Sequence, residues 1–309
     1  MKEKSKTVLI SGGSGHIGSR LTTALLKSGY RVNWLSRGDF SVNNVTVYKW
    51  DVERKQINLQ AIDQARIIIH LAGANIGAKR WTSKRKKEIL DSRVKSAEFL
   101  LKAIRETGVR LEAFISASAV GYYGALTSEK IFKEDDPPAN DFLGTTCRLW
   151  EDAAESFSDA AKRVIKIRTG VVLDGRSGAL PKMALPVKLG LGSSLGSGRQ
   201  YLPWIHIADI VGIYVKAIEN ETMKGAYNAV APQAVRLKEF FRTLAGVLGR
   251  PFFMPPVPDF LLKALLGEMS DLLLKGSPVS AEKILRAGYA FRFKTAEKAL
   301  QDIYYKEGN

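Results

Sequence analysis

Gly12, Gly15 and Gly18 stand between a β-rich run, Thr7 to Ser11, and a helical pattern with Ile17, Leu21, Ala24 and Leu25 on one face. Glycines at this spacing allow a tight turn, let a pyrophosphate approach the backbone, and let the helix pack closely on the strand. The N–H groups at the helix start then face the phosphates. Ser14, Gly15, His16, Ile17 and Gly18 are therefore expected to cradle a dinucleotide. About twenty residues on, an NAD site would place a carboxylate on the ribose. Here the second strand ends in Ser36-Arg37 instead, and a guanidinium suits a 2′-phosphate, so NADP(H) is preferred over NAD(H), with Asp39 as the opposing feature. Asp51, after the third strand, is placed either to accept from an adenine amino group or to close a turn.

These groups need a scaffold, and the hydrophobic periodicity supplies one. Strands are expected at 7–11, 31–36, 45–49, 67–71, 113–118 and 163–172, and helices at 16–28, 82–106 and 145–161. The continuous apolar run Ile67 to Leu71 reads as a strand buried on both faces, as in a parallel sheet. Alternating strands and helices imply an α/β fold, a Rossmann-type doubly wound parallel sheet. Gly175 to Gly198 has little periodicity and reads as a long loop over the sheet; Tyr201 to Ile207 reads as a strand, and Asp209 as the cap of a helix to about Glu219. A strand at 227–230 and a helix at 237–248 precede Pro251, Pro255, Pro256 and Pro258. The expected division is a dinucleotide-binding domain over 1–230, with a substrate-side loop at about 174–203, and a small, mainly helical lobe over 231–309.

The 309 residues hold 47 Lys+Arg against 31 Asp+Glu, a net charge of +16, with 45% hydrophobic residues, which is globular composition. Cys147 is the single cysteine and the histidines are three, so an intramolecular disulfide and a Cys/His zinc site are excluded, and no metal is expected. Met1 to Lys6 are charged and lack the apolar stretch of a secretory signal, which points to the cytoplasm. Phe260 to Leu274 is interrupted by Lys263, Glu268 and Asp271 and is too short to span a bilayer, so no membrane partner is expected. The basic run of Lys79, Arg80, Lys84, Arg85, Lys86, Lys87, Arg93 and Lys95 is countered only by Glu88 and Asp91; with no nucleic-acid motif beside it, it reads as a solvated helix face.

Gly12 to Gly18, Asp51, Leu71-Ala72-Gly73, Ser116-Ala117-Ser118 and Trp204 to Asp209 together resemble the extended short-chain dehydrogenases. More narrowly, Lys79-Arg80-Trp81, Asp91-Ser92-Arg93, Ser118 to Gly124, Trp150-Glu151 and Gly198-Arg199-Gln200 resemble an atypical epimerase/dehydratase family with a distinctive small C-terminal domain. The resemblance runs from residue 7 to about residue 300. It implies NADP(H) bound by a Rossmann domain, with Leu71, Ala72 and Gly73 bordering the cofactor.

Enzymes of that superfamily commonly pair Tyr-x-x-x-Lys with a serine that holds the substrate oxygen. Ser118 matches the serine, but the pair falls on Cys147 and Glu151, and a carboxylate in place of an ammonium raises a neighbouring phenol's pKa. Tyr122 and Tyr123 are the alternative phenols, for proton transfer or for packing on the ligands. Cys147 has no identifiable histidine base and reads as a buried small hydrophobe, while His16 reads as a loop side chain, His70 as a core residue and His206 as structural. Arg93, Arg168, Lys182, Arg199 and Gln200 are the candidate substrate contacts, for a small polar, anionic molecule; Arg168 could instead be an interior cation. Two functions follow, an NADP(H)-dependent oxidoreductase or epimerase and a non-catalytic NADP(H)-binding regulator, with no nucleic-acid partner expected and the oligomeric state open.

Overall fold

The computed structural model describes residues 7–305, so the leading segment on which the cytoplasmic expectation rests lies outside the described residues. The strands are β1 Thr7–Ser11, β2 Arg31–Ser36, β3 Val45–Asp51, β4 Gln56–Ile57, β5 Ile67–His70, β6 Ala113–Ala119, β7 Val164–Thr169, β8 Val171–Leu173, β9 Trp204–His206 and β10 Gly225–Ala229. The helices are α1 His16–Lys27, α2 Gln60–Asp63, α3 Ser83–Thr107, α4 Phe142–Glu155, α5 Leu180–Lys188, α6 Ile207–Glu219, α7 Leu237–Val247, α8 Asp259–Leu266, α9 Asp271–Leu274, α10 Glu282–Arg286 and α11 Ala296–Tyr305.

Among the described residues, eight strands form one sheet in the order β10-β7-β6-β5-β1-β2-β3-β4, parallel throughout except at β4. The order reverses between β1 and β5, the switch point at which doubly wound sheets bind ligands. Alternation along each strand separates the two faces. Val8, Ile10, Ile69 and Ile167 pack with Leu21 and Leu25 of α1 and Ile213 and Tyr214 of α6, whereas Leu9, Ile68 and Phe114 pack with Leu100 and Ile104 of α3 and Phe157. His70 lies wholly inside, bridging Ser11 at 2.6 Å and Ser96 at 3.0 Å, and burial pushes its ring down to about 4, so it is neutral at pH 7. A further apolar core joins Leu180, Met183, Ala184 and Val187 of α5 to Phe240 and Leu244 of α7 and to Leu300 of α11.

Several elements depart from the sequence-based expectation for local reasons. The expected strand at 163–172 breaks at Gly170, where a Cβ would lie 2.7 Å from the carbonyl oxygen of Pro203; β8 leaves the main sheet and pairs with β9. The expected loop at 175–198 contains α5, whose apolar face is masked in sequence by Pro181 in the first turn and Pro186 inside the helix. Helix α4 starts at Phe142, earlier than expected, because Asp141 accepts the Gly144 N–H at 2.8 Å. His206, not Asp209, caps α6, its Nδ1 accepting the Ala208 N–H at 3.1 Å.

Asp209 is fully buried instead, accepting the Tyr289 hydroxyl at 2.9 Å and the backbone N–H groups of Arg292 at 2.8 Å and Phe293 at 3.1 Å. It fastens the C-terminal segment to α6. Replacing it with Ala strands these donors in the interior, so Asp209→Ala should lower unfolding free energy by about 2–4 kcal/mol in a urea titration. An unchanged midpoint would remove Asp209 from the seam.

Candidate functional site

The cradle is built by steric exclusion. Gly12 has a φ of +77°, and a Cβ there would meet the backbone of Leu71 and Ala72 at 3.0 Å; a Cβ on Gly18 would stand 2.3 Å from the Gly12 carbonyl oxygen. The helix start therefore sits hard against the ends of β1 and β5, with Ser14 and Gly15 exposed and His16 and Ile17 half-buried. Gly13 is required for another reason, since its missing side chain leaves room for the Trp34 indole, which donates to Thr22 Oγ1 at 2.8 Å. These residues fit a dinucleotide. Nearby, Arg37 is exposed with no hydrogen bond or ion pair among the described residues, and Asp39 turns to Lys49 at 3.4 Å. Asp51 closes a turn, its Oδ1 accepting the N–H groups of Glu53 at 2.9 Å and Arg54 at 3.0 Å. His16 Nε2 donates to Asp174 Oδ2 at 3.0 Å, a carboxylate 3% exposed that also faces Arg20 at 3.5 Å.

Below the expected nicotinamide region lies a buried polar network. Ser118 and Arg168 are partners in the β6–β7 register, and α4 brings Glu151 over both. Ser118 Oγ donates to Glu151 Oε1 at 2.6 Å, and Arg168 grips the same carboxylate through Nε at 2.8 Å and a terminal nitrogen at 2.9 Å. The other terminal nitrogen of Arg168 donates to the Tyr123 hydroxyl and to the Glu134 carbonyl, both at 3.0 Å. Tyr123 in turn donates to Asn228 Oδ1 at 2.7 Å, and its pKa is pushed up to about 12, chiefly by burial. Ser118, Tyr123 and Arg168 are thus each engaged in the interior, all three only 3% exposed. Tyr122 differs: it is half-buried, its ring lies 3.5 Å from the Arg168 guanidinium carbon, and its hydroxyl makes no hydrogen bond among the described residues.

Cys147 is 5% exposed, and burial, reinforced by the Glu151 carboxylate, pushes its thiol up to about 12. Arg93 lies over Trp150 at 4.9 Å, donates to the Ala74 carbonyl at 3.1 Å, and stands beside Gly73, where a Cβ would be 3.3 Å from its guanidinium carbon. It is the expected substrate contact that borders the cofactor loop.

The remaining substrate candidates do not converge. Lys182 reaches the Gly77 carbonyl at 3.3 Å, tying α5 to the loop after β5. Gln200 is 2% exposed and donates to the carbonyls of Leu195 at 3.1 Å and Leu273 at 2.7 Å, so its carboxamide links backbone segments. Arg199 is exposed and lines a separate basic depression. The basic run on α3 disperses as well: Arg85 pairs with Glu88, Lys86 with Glu268, and Lys87 and Lys95 share Asp91. Sequence reasoning missed Glu134, Asp174 and Asn228, whose roles rest on partners far along the chain; Asn228, for instance, meets Tyr123 across 105 positions.

Two measurements probe this arrangement. Glu151→Gln leaves Arg168 buried without its counter-charge and should cost about 3–5 kcal/mol of stability, whereas Glu151→Leu with Arg168→Met should cost less than the sum of the single changes. Simple additivity in that cycle would contradict the pairing. Native Cys147 should resist iodoacetamide at pH 8 and react on unfolding; rapid native alkylation would show an accessible thiolate.

Residues 8–229 match the model of the NAD dependent epimerase/dehydratase family, and residues 257–303 match a domain of unknown function, DUF1731. The Epimerase family protein YfhF of Bacillus subtilis is 37% identical over 96% of this chain and 97% of its own. The Epimerase family protein SDR39U1 of Mus musculus is 38% identical over 96% of this chain and 99% of its own. A crystal structure of human SDR39U1 with NADPH superposes with a TM-score of 0.86 at 33% identity, covering 97% of this chain and 99% of that one. Fold, glycine cradle and relatives at this identity agree, and the chain belongs to the NAD dependent epimerase/dehydratase family.

Proposed function

We propose that this protein is an NADP(H)-dependent oxidoreductase or epimerase acting on a small polar, anionic molecule. The observation that carries the reading is Arg37, an unpaired guanidinium at the end of β2 whose competing acid, Asp39, is held by Lys49. The NADPH in the human SDR39U1 structure supports the same preference. Backbone groups of the Gly12–Gly18 turn hold the pyrophosphate, Arg37 the 2′-phosphate, and Leu71, Ala72 and Gly73 border the cofactor, with Asp51 near the adenine. When bound, NADP(H) supplies the hydride donor or acceptor. Tyr122 is the phenol that exchanges a proton with the substrate oxygen, and the Arg168 guanidinium packed on its ring fixes the ring's position. Arg93, beside Gly73, supplies the positive charge for an anionic substrate.

A second reading, NADP(H) binding without catalysis, is favoured by Cys147 and Glu151 at the positions of the usual Tyr and Lys and by the Ser118 hydroxyl being taken by Glu151. Two experiments separate these readings. Arg37→Asp should weaken NADPH binding by about 10–100-fold while leaving NADH within about twofold, and an equal loss for both would remove the 2′-phosphate assignment. Incubation with [4-²H]NADPH and a mixture of anionic metabolites should transfer label in the wild type and not in Tyr122→Phe, with NADPH affinity retained. Label transfer by Tyr122→Phe at the wild-type rate would contradict the role of Tyr122, and NADPH binding with no exchange in the wild type supports the second reading.

A further inference from the structure

Helix α5 turns Leu185 and Leu189 outward at helical spacing, 58% and 68% exposed, and Leu191 follows at 52%. The Leu191 N–H bonds the Pro186 carbonyl at 2.9 Å, which folds it back against the end of the helix. The segment after Pro251 runs alongside, since Gly192 and Phe252 form a parallel bridge and the Met254 N–H donates to the Gly192 carbonyl at 3.2 Å. Phe252 packs toward the core that holds α7, and the alternation of extended chain turns Phe253 outward, 72% exposed, next to Met254 at 37%. Scattered apolar side chains are ordinary on a surface. Leu185, Leu189, Leu191, Phe253 and Met254, brought together by backbone hydrogen bonds, make a projecting ridge, and exposures of this size belong to a convex face and not to the lining of a cleft.

Cations flank the ridge. Lys188 and Arg250 are exposed, and Arg242 of α7 lies over the Phe252 ring at 5.8 Å. One helical turn back stands Lys238, which with Arg199, Arg236, Arg242 and Glu239 lines an open depression of about 260 Å³. The carboxylates facing it are Glu239 and Glu129, and Glu129 is held by Arg236 at 2.9 Å.

We infer that this face docks on the surface of an anionic lipid bilayer, the ridge entering the boundary between headgroups and acyl chains and the depression receiving a headgroup phosphate. A second copy of the chain fits poorly, because facing copies would oppose identical basic depressions on proteins of charge +16. An acyl boundary makes no demand for a shaped groove, and cations beside projecting Leu and Phe suit an anionic membrane surface. The attachment is peripheral, since no helix among the described residues is long and apolar enough to cross a membrane.

Flotation with phosphatidylcholine vesicles, with and without phosphatidylglycerol, tests the inference. The protein should float only with phosphatidylglycerol present. Leu189→Ser with Phe253→Ser, and separately Lys238→Glu with Arg242→Glu, should each lower the bound fraction at least about tenfold. All four side chains are exposed, so thermal unfolding and NADPH titration of these variants should match the wild type. Absence of flotation in the wild type, or undiminished flotation of either double variant, would overturn the inference. So would a concentration-dependent dimer in sedimentation that the Ser variant abolishes.

Discussion

The buried Glu151–Arg168 pair constrains the molecule more than any other single contact. An ion pair taken out of water is tolerated only when its remaining donors and acceptors are satisfied, and here Ser118, Tyr123 and the Glu134 carbonyl do so. Those partners come from β6, from the turn after it and from the following loop, and Asn228 of β10 accepts in turn from Tyr123. The C-terminal ends of three neighbouring strands are thereby held in one arrangement beneath the place where a dinucleotide would lie. The same pairing engages the Ser118 hydroxyl, while the Tyr122 hydroxyl makes no hydrogen bond among the described residues.

Two kinds of information in the sequence account for what was legible. Strands buried on both faces are uninterrupted apolar runs, so Ile67–His70 and its neighbours announce a parallel sheet, and the glycine turn announces itself because only glycine satisfies its contacts. What stayed hidden depends on partners remote in sequence. Nothing local shows that Gly170 must clear Pro203, that Glu151 will meet both Ser118 and Arg168, or that Gln200 will be consumed by the carbonyls of Leu195 and Leu273. The helix α5 was hidden for a local reason, since Pro181 and Pro186 imitate a loop while the apolar spacing of Leu180, Met183, Ala184 and Val187 is sound.

The charge of +16 resolves into separate duties. Arg168 and Arg163 serve the interior, the latter capping the C-terminal carbonyls of α6, including Ala217 at 2.8 Å and Ile218 at 2.9 Å. Most of the α3 cations are matched by acids or folded inward. Arg37 stays unpaired beside the cradle, and Arg199, Lys238 and Arg242 line the depression beside α7, where Arg236 is paired with Glu129.

The central claim, that the cradle and Arg37 together select the phosphorylated dinucleotide, is tested most directly by titrating the wild-type protein calorimetrically with NADPH and NADH under identical conditions. The account predicts that NADPH binds at least about tenfold more tightly, the value of one charge-assisted hydrogen-bonded contact. Equal affinity, or tighter binding of NADH, would contradict it.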